Sequence, residues 1–131
     1  MDGKELCAVA IKAAEKAYAP YSGYKVGAAL LTKSGKVYLG CNIENASFSP
    51  TNCAERTAFF KAVSEGERDF SMIAVAGGKD GKFSGVFPPC GVCRQVMAEF
   101  CQKDFKILLA KSENDFESYT LSQLLPLSFH I

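Results

Sequence analysis

In the first third of the chain, apolar residues recur first at the spacing of a helix and then at the shorter period of strands. Between residues 4 and 18 they follow the spacing of an amphipathic helix, which Pro20 ends. Two runs rich in strand-forming residues, Tyr24–Thr32 and Val37–Ile43, then flank the turn-forming segment 33–36. The chain therefore opens with a predicted helix followed by a predicted β-hairpin.

The rest of the chain alternates between helical and strand patterns. Cys53–Glu65 is predicted to be a helix, with Thr51 or Asn52 as its N-cap and Gly66 as its C-terminal stop. The later predicted elements are the strand Met72–Ala76, the loop 77–85, the helix Cys90–Phe100, the strands Lys106–Ala110 and Phe116–Tyr119, and a short helix opened by the capping-box spacing of Thr120 and Gln123. This order predicts an α/β fold in which helices pack on a mixed sheet.

Composition limits the class of protein. The 131 residues, of which 48% are hydrophobic, predict one globular domain spanning residues 1–131. A net charge of +1 without a basic stripe argues against a nucleic-acid partner. No apolar run reaches the roughly 20 residues of a membrane span, and the polar N-terminus lacks a signal-peptide pattern. We therefore expect no membrane partner and a cytoplasmic location.

Candidate chemistry lies in two cysteine motifs, Cys53-Ala54-Glu55 and Pro89-Cys90-Gly91-Val92-Cys93. Three thiolates can hold a tetrahedral zinc ion and leave its fourth position for water. A carboxylate two residues after the first ligand can then move the protons of that water. This arrangement is the signature of zinc-dependent nucleobase deaminases, in which a glutamate serves as general acid and base.

The predicted helices favour thiolates at these positions. Cys53 and Cys90 each begin a helix, whose free N–H groups and positive dipole end lower the pKa of a thiol. A zinc ion with three thiolates carries net negative charge, which weakens it as a Lewis acid. Arg56, beside Cys53 and Glu55, is a candidate to donate hydrogen bonds to the sulfurs and offset that charge.

The Cys-x-x-Cys motif also has non-catalytic interpretations. Cys90 and Cys93 alone would suit a redox pair or half of a structural zinc site, whose remaining ligands would come from other cysteines. Three cysteines could in principle supply them: Cys7, Cys41 and Cys101. We instead expect these three to be small buried apolar residues, and the only histidine, His130, to be a tail residue. The carboxylate of Glu55 favours a catalytic site, because a closed structural site has no use for it.

Six segments in the same order resemble the small homotetrameric cytidine deaminases of pyrimidine salvage. They are Tyr18-Ala19-Pro20-Tyr21-Ser22, Val26-Gly27-Ala28-Ala29-Leu30-Leu31, Gly40-Cys41-Asn42-Ile43-Glu44-Asn45-Ala46, the two cysteine motifs with the residues that follow them, and Leu124-Leu125-Pro126 with Phe129. The resemblance covers nearly the whole chain. It implies a three-layer α/β/α fold with a mixed five-stranded sheet, and a zinc-dependent hydrolysis of cytidine and 2′-deoxycytidine that releases ammonia.

The resemblance also implies roles for individual residues. Cys53, Cys90 and Cys93 would bind one zinc ion per chain, and Glu55 would carry protons. The implied nucleoside contacts are Asn42 and Glu44 to the ribose hydroxyls, backbone groups of Ala54 near the pyrimidine, and the aromatic rings of Tyr24 and Phe129 around the base. In this family neighbouring subunits complete each pocket, so Phe129 is expected to serve the site of another subunit.

The residues themselves leave some of these roles open. Asn42 and Glu44 alternate along a predicted strand and would face one side, yet such polar residues are also common at strand ends. Tyr24 and Phe129 are equally suited to a core or an interface. The chain departs from the family's usual pattern in having Tyr24 where phenylalanine is common and Phe48 where tyrosine is common, and both changes keep an aromatic face.

Three alternatives remain. A blasticidin-S-type deaminase shares the zinc and glutamate chemistry, although the Asn42-Ile43-Glu44-Asn45 segment favours an ordinary ribose. A polynucleotide cytosine or tRNA adenosine deaminase is disfavoured by charge and by cysteine rather than histidine at position 53. A non-catalytic zinc domain or a redox Cys-x-x-Cys domain is the alternative from another class.

Overall fold

A computed structural model describes all residues, 1–131. The helices are α1 (Gly3–Ala13), α2 (Ala54–Ser64), α3 (Gly91–Phe100) and α4 (Leu121–Leu124), and a 3-10 turn, Ala14–Lys16, follows α1. The strands are β1 (Tyr24–Thr32), β2 (Val37–Cys41), β3 (Phe70–Lys79), β4 (Lys106–Ala110) and β5 (Phe116–Thr120). None of the helices combines the length and the apolar character needed to span a membrane.

The five strands form one mixed sheet in the order β2-β1-β3-β4-β5. Strands β3 and β4 are parallel, because helix α3 carries the chain back across the sheet between them. The other three pairs are antiparallel. The predicted mixed sheet is confirmed.

Alternating side chains of β1 separate the core into two parts. Ala28 and Leu30 face the larger cluster, which contains the buried residues of α2 and α3. Ala29 and Leu31 face the smaller cluster, which contains those of α1. Since successive strand residues point to opposite faces, α1 lies on one face of the sheet and α2 and α3 lie on the other. This is the expected three-layer α/β/α arrangement.

Two glycines let these helices approach the sheet closely. A Cβ atom on Gly27 would lie 2.1 Å from the carbonyl oxygen of Ala10 in α1. A Cβ atom on Gly40 would lie 2.2 Å from the carbonyl oxygen of Ala54 in α2. Any side chain at either position would collide with helix backbone. Gly40 therefore sets how close the first turn of α2 lies to β2.

Several predicted boundaries are wrong. The first helix was expected to reach residue 18, but α1 ends at Ala13, and an isolated bridge to Ile43 holds Tyr18 in extended conformation. Strand β2 was expected to include Ile43, but it ends at Cys41. Strand β3 is longer than the predicted Met72–Ala76, because Gly77, Gly78 and Lys79 pair with β1 instead of forming a loop.

Other details of the prediction hold. β1 has the predicted bounds, and the capping box that opens α4 is present, with the Thr120 side chain accepting from the backbone N–H of Gln123. Gly66, which follows the C-cap Glu65 of α2, has a φ of +99°, as expected for a glycine that stops a helix.

Candidate active site

The thiols of Cys53, Cys90 and Cys93 lie together, with all three Sγ atoms within 4.8 Å of one another. The Sγ–Sγ distance is 3.8 Å for Cys53 and Cys90 and 3.5 Å for Cys90 and Cys93. Ligands at about 2.3 Å in tetrahedral geometry lie about 3.8 Å apart, so the cluster fits one zinc ion. The other three cysteines lie outside this group, with Cys7 buried and Cys41 and Cys101 half-buried.

The two helices begin at the cysteines themselves. Cys53 is the N-cap of α2 and Cys90 is the N-cap of α3, and neither side chain makes a capping hydrogen bond. The prediction of Thr51 or Asn52 as the N-cap of α2 is therefore wrong. A sulfur that does not cap its own helix stays available as a ligand, while the positive helix end favours its thiolate form.

The guanidinium of Arg56 lies against the thiols. Its Nη2 donates to Sγ of Cys53 at 3.2 Å, and its Nε is buried without a hydrogen-bond partner. A hydrogen bond from Cys93, together with Arg56, lowers the pKa of Cys53 to about 5, although burial opposes the shift. The hydrogen bond to Cys53 and burial raise the pKa of Cys93. A thiolate at Cys53 beside a fixed cation suits the binding of a metal cation.

Glu55 lies in the first turn of α2 and is only 4% exposed. Burial, reinforced by the neighbouring charge of Cys53, raises the pKa of Glu55 to about 7. A carboxyl group with that pKa exchanges its proton readily near neutral pH. This is the property required of a residue that serves as both general base and general acid.

A cleft of about 480 Å³ opens beside the thiol cluster. Cys53, Glu55 and Cys90 line it where the metal would bind. Six further residues of its wall matter for ligand binding: Tyr24, Val26, Asn42, Glu44, Ala54 and Phe87. The volume falls in the range of small-molecule sites.

Asn42 is tied into the sheet by its side chain. Its Oδ1 accepts from the backbone N–H of Val26 at 2.8 Å, and its Nδ2 donates to the carbonyl oxygen of Tyr24 at 2.8 Å. One lone pair of the oxygen and one N–H of the amide remain for a ligand. Although Asn42 lies outside β2, contrary to prediction, these two bonds fix the orientation of its amide at the cleft.

Glu44 is held by the segment before β1. Its Oε1 accepts from the backbone N–H groups of Tyr21 at 2.9 Å and Ser22 at 3.1 Å, and its Oε2 accepts from the hydroxyl of Ser22. The hydroxyl of Ser22 is the main cause that lowers the pKa of Glu44. The fixed carboxylate keeps lone pairs on Oε2 that can accept from the hydroxyls of a sugar.

The structure separates the two predicted aromatic residues. Tyr24 lines the cleft, whereas Phe129 lies outside its lining and is 69% exposed. The backbone oxygen of Phe129 accepts from Nε2 of Gln95, which ties the tail to α3. Within one chain, Phe129 therefore forms no part of the cleft wall.

Sequence reasoning missed several residues that build the site. Phe87 lines the cleft, although no motif distinguishes it. The hydroxyl of Thr57 donates to the carbonyl oxygens of Cys41 and Cys53, which joins the start of α2 to the end of β2. Arg94 donates to the carbonyl oxygens of Pro89 and Leu124, which holds the segment before Cys90. Their position directly after the cysteine motifs is the only signal that could have identified Thr57 and Arg94.

Comparisons with known proteins agree with this geometry. The family model of the cytidine and deoxycytidylate deaminase zinc-binding region matches residues 2–109. A cytidine deaminase of Halalkalibacterium halodurans is 55% identical over 129 residues, covering 98% of this chain and 95% of that protein. One of Sporosarcina psychrophila is 52% identical over 129 residues, covering 98% of this chain and 92% of that protein.

A solved structure extends the similarity to the fold. The crystal structure of cytidine deaminase from Burkholderia pseudomallei aligns with a TM-score of 0.90 at 46% identity, covering 98% of this chain and 100% of that one. The sequence match, the shared fold and the cluster of three thiols beside Glu55 lead to one conclusion. The chain belongs to the cytidine and deoxycytidylate deaminase family.

Proposed function

We propose that this protein hydrolyses cytidine and 2′-deoxycytidine to uridine and 2′-deoxyuridine and releases ammonia. One observation carries the proposal: a buried carboxyl group, Glu55, with a pKa of about 7 lies beside three clustered thiols at a small-molecule cleft. Neither a structural zinc site nor a redox pair requires this carboxyl group. Family membership supports the same conclusion.

The proposed metal ligands are Cys53, Cys90 and Cys93, and they would hold one zinc ion per chain. When bound, zinc lowers the pKa of a water molecule toward neutrality and so supplies the nucleophile. Arg56 offsets the negative charge of the thiolates through its hydrogen bond to Cys53. The positive ends of α2 and α3 act in the same direction.

Glu55 is the proposed proton carrier. It takes a proton from the attacking water and delivers it to N3 of the pyrimidine, so that C4 accepts the oxygen. It then carries the water's second proton, lost from the C4 hydroxyl as the carbonyl forms, to the amino group, whose bond to C4 breaks so that it leaves as ammonia. The near-neutral pKa of Glu55 suits both directions of transfer.

The other proposed contacts orient the nucleoside. Asn42 and Glu44 bind the ribose hydroxyls, which is supported by their fixed side chains at the cleft. Backbone groups of Ala54, in the first turn of α2, contact the pyrimidine, and the ring of Tyr24 packs beside it. The substrate is a free nucleoside, in agreement with the net charge of +1.

We also propose that the protein is a homotetramer whose subunits share their active sites. The exposed position of Phe129, outside the cleft of its own chain, supports a role for this ring in a neighbouring subunit. The proposed biological role is pyrimidine salvage, and the proposed location is the cytoplasm. Phe129 is therefore assigned to the substrate site of another copy of the chain.

The proposal is tested by the ultraviolet absorbance of zinc-loaded protein mixed with cytidine, with released ammonia as a second readout. We expect conversion to uridine by the wild type. Glu55→Gln should bind zinc equally well but lose turnover by at least the roughly 10²–10⁴-fold typical of positioned proton transfer. Metal analysis should find one zinc ion per chain, and removal of that ion by a chelator should abolish turnover.

Two outcomes would contradict the proposal. Near wild-type turnover in Glu55→Gln would refute the proton-carrier role. A folded, zinc-loaded wild type that leaves cytidine unchanged would point first to a blasticidin-S-type deaminase, which is tested by offering that antibiotic, and then to a non-catalytic zinc domain. Oxidation and reduction of Cys90 and Cys93 in metal-free protein would support the redox alternative.

A further inference from the structure

Phe87 forms part of the cleft wall that no motif explains. Its ring is half-buried at the end of the loop after β3, and two prolines, Pro88 and Pro89, separate it from Cys90. Because proline fixes φ, this short connection is stiff. The position of Phe87 is therefore coupled closely to the metal end of the cleft.

Phe87 and Tyr24 form an aromatic pair on this wall. Their ring centroids are 6.0 Å apart, with an angle of 36° between the ring planes. The ring of Tyr24 also contacts the ammonium group of Lys79, whose Nζ lies 5.1 Å from the ring centre. This Nζ is itself held in place, because it donates to the carbonyl oxygen of Ser22 at 2.6 Å. Since the Lys79 contact restrains Tyr24, the position of the Phe87 ring determines how much space the cleft leaves for a ligand next to this aromatic pair.

The ring of Phe87 packs directly against Gly77, which has no side chain to displace it. A Cβ atom at position 77 would lie 2.8 Å from Cγ of Phe87, 3.0 Å from its Cδ1 and 3.0 Å from Cγ2 of Val26. Gly77 pairs with Val26 across the sheet, and Val26 also lines the cleft. A side chain at position 77 would therefore displace the ring of Phe87 from its present position against β3.

The proposed reaction indicates which part of the substrate meets this wall. C4 of the pyrimidine must face the thiols, and N3 must face Glu55 to receive its proton. C5 is the other ring neighbour of C4, so it points away from Glu55. Phe87 and Pro88 line the cleft without offering a polar side chain and lead through Pro89 to Cys90, and Val26 is a further apolar residue of the lining. We therefore place C5 against this apolar wall.

We propose that Phe87, which packs against Gly77, is a specificity-determining residue that limits the size of the substituent accepted at C5 of the pyrimidine. This inference rests on the proposed function. It assigns no chemistry to Phe87, which contacts the unreactive edge of the base. The expected substrate class is cytosine nucleosides with hydrogen or a small group at C5.

The test compares cytidine with 5-methylcytidine, which is hydrolysed to 5-methyluridine and ammonia in the same reaction. The measured quantity is kcat/KM for 5-methylcytidine divided by kcat/KM for cytidine. Removing bulk at position 87 should raise this ratio, in Phe87→Leu and further in Phe87→Val, by about tenfold or more because one methyl group in a pocket changes specificity by about 10–200-fold. The gain should lie mainly in KM for 5-methylcytidine.

Gly77→Ala tests the packing of Phe87 against position 77 without changing any side chain that lines the cleft. The added methyl group should push the ring of Phe87 away from β3 and into the cleft. This movement should lower the ratio of kcat/KM for 5-methylcytidine to kcat/KM for cytidine, which is the opposite of the effect of Phe87→Val. In the double variant Gly77→Ala/Phe87→Val the effect of the alanine should shrink, because the ring it displaces is gone. Gly85→Ala is the matched control, since a Cβ atom there meets nothing within 4 Å, and it should leave the ratio unchanged.

The outcomes separate this inference from the proposed function. Turnover of cytidine by the wild type, with ratios in Phe87→Leu, Phe87→Val and Gly77→Ala within twofold of it, would overturn the inference alone. Absence of turnover of both nucleosides by zinc-loaded wild type would overturn the proposed function and the inference with it. Circular dichroism and zinc content identify a variant that fails to fold, and the remaining variants then decide.

Discussion

The chemistry of individual residues is governed by what surrounds them. Glu55 is buried next to a thiol cluster and has its pKa raised to about 7, whereas Glu44 is held by N–H and O–H donors that lower its pKa. The same side-chain type is therefore suited to the proposed proton transfer at one position and to the role of a fixed anion at the other. Desolvation and hydrogen bonding act in opposite directions on a carboxyl group, which is why the two roles separate.

Arg56→Ala should weaken zinc binding by about 10–100-fold, the usual cost of removing a group that orients and balances metal ligands. The reason is the loss of the hydrogen bond from Nη2 to Sγ of Cys53 and of a cation beside the thiols. Zinc affinity is measured by competition with a chromogenic chelator. Arg68→Ala, which removes hydrogen bonds only to the backbone oxygens of Val63 and Glu67, is the control. Equal affinities in both variants would contradict the role of Arg56.

Glu44→Gln should lower the melting temperature at neutral pH and have less effect in acid. The pKa of Glu44 is below its ordinary value of 4.5, so the stabilisation from its ionised form is complete above about that pH. It is lost as the pH falls through the lowered pKa of the folded state. The measurement is the difference in melting temperature between wild type and variant across this pH range, with exposed Glu15→Gln as the control. A difference independent of pH would refute the argument.

At the scale of elements, α2 and α3 position the candidate site, because each helix begins at one of the clustered cysteines. The first turn of α2 carries Ala54, Glu55 and Arg56 directly after Cys53. Its position depends on the close approach of Ala54 to Gly40 in β2 and on the hydrogen bonds of Thr57 to both elements. A small shift of α2 would therefore move the proton carrier relative to the thiols.

Gly40→Ala and Gly27→Ala should both destabilise the fold by at least about 1–3 kcal/mol, because each forces a methyl group against helix backbone. Only Gly40→Ala should also reduce zinc affinity and turnover, since it displaces α2, whereas Gly27→Ala displaces α1 on the other face. Stability is measured by denaturant unfolding and zinc content by metal analysis. Equal losses of zinc affinity in the two variants would contradict this expectation.

At the scale of the whole molecule, some large aromatic side chains remain exposed. Phe48 is 74% exposed and Phe129 is 69% exposed. Exposed aromatic surface of this kind is typical of sites where proteins associate. It supports the proposed tetramer, in which a neighbouring chain would bring its Phe129 to the cleft.

Shared sites predict that two impaired variants complement each other when their subunits mix. Glu55→Gln lacks the proton carrier, and Phe129→Ala should bind cytidine weakly, with KM raised by about tenfold or more for loss of an aromatic contact. When the two variants are unfolded and refolded together, mixed tetramers would contain sites with an intact Glu55 and a Phe129 from another chain. Turnover at low cytidine concentration should then exceed that of Phe129→Ala refolded alone at the same concentration of functional Glu55.

If Phe129 acts within its own chain, mixing should give no such gain. Light scattering supplies the independent check, and a mass of about four times 14.1 kDa is expected. A stable monomer that deaminates cytidine at full rate would refute the shared site.

The sequence by itself determined the features that depend on local pattern. The hydrophobic periodicities predicted every strand and helix in the correct order, because amphipathic spacing reflects which side each element buries. The spacing of Cys53, Glu55, Cys90 and Cys93 predicted that these residues share one site, since metal geometry and proton transfer restrict both residue types and their separation, and they do lie together in the structure. The prediction of a mixed sheet followed from the same order of elements.

Only the tertiary structure decided the features that depend on contacts between distant segments. Gly77 and Gly78 were expected in a loop, but their backbone groups pair with β1, and pairing across a sheet outweighs local preference. Phe87 entered the cleft wall because Gly77, ten positions earlier, leaves room for its ring. The pKa of Glu55 likewise follows from burial, which is created when α2 packs on the sheet and which no local pattern contains.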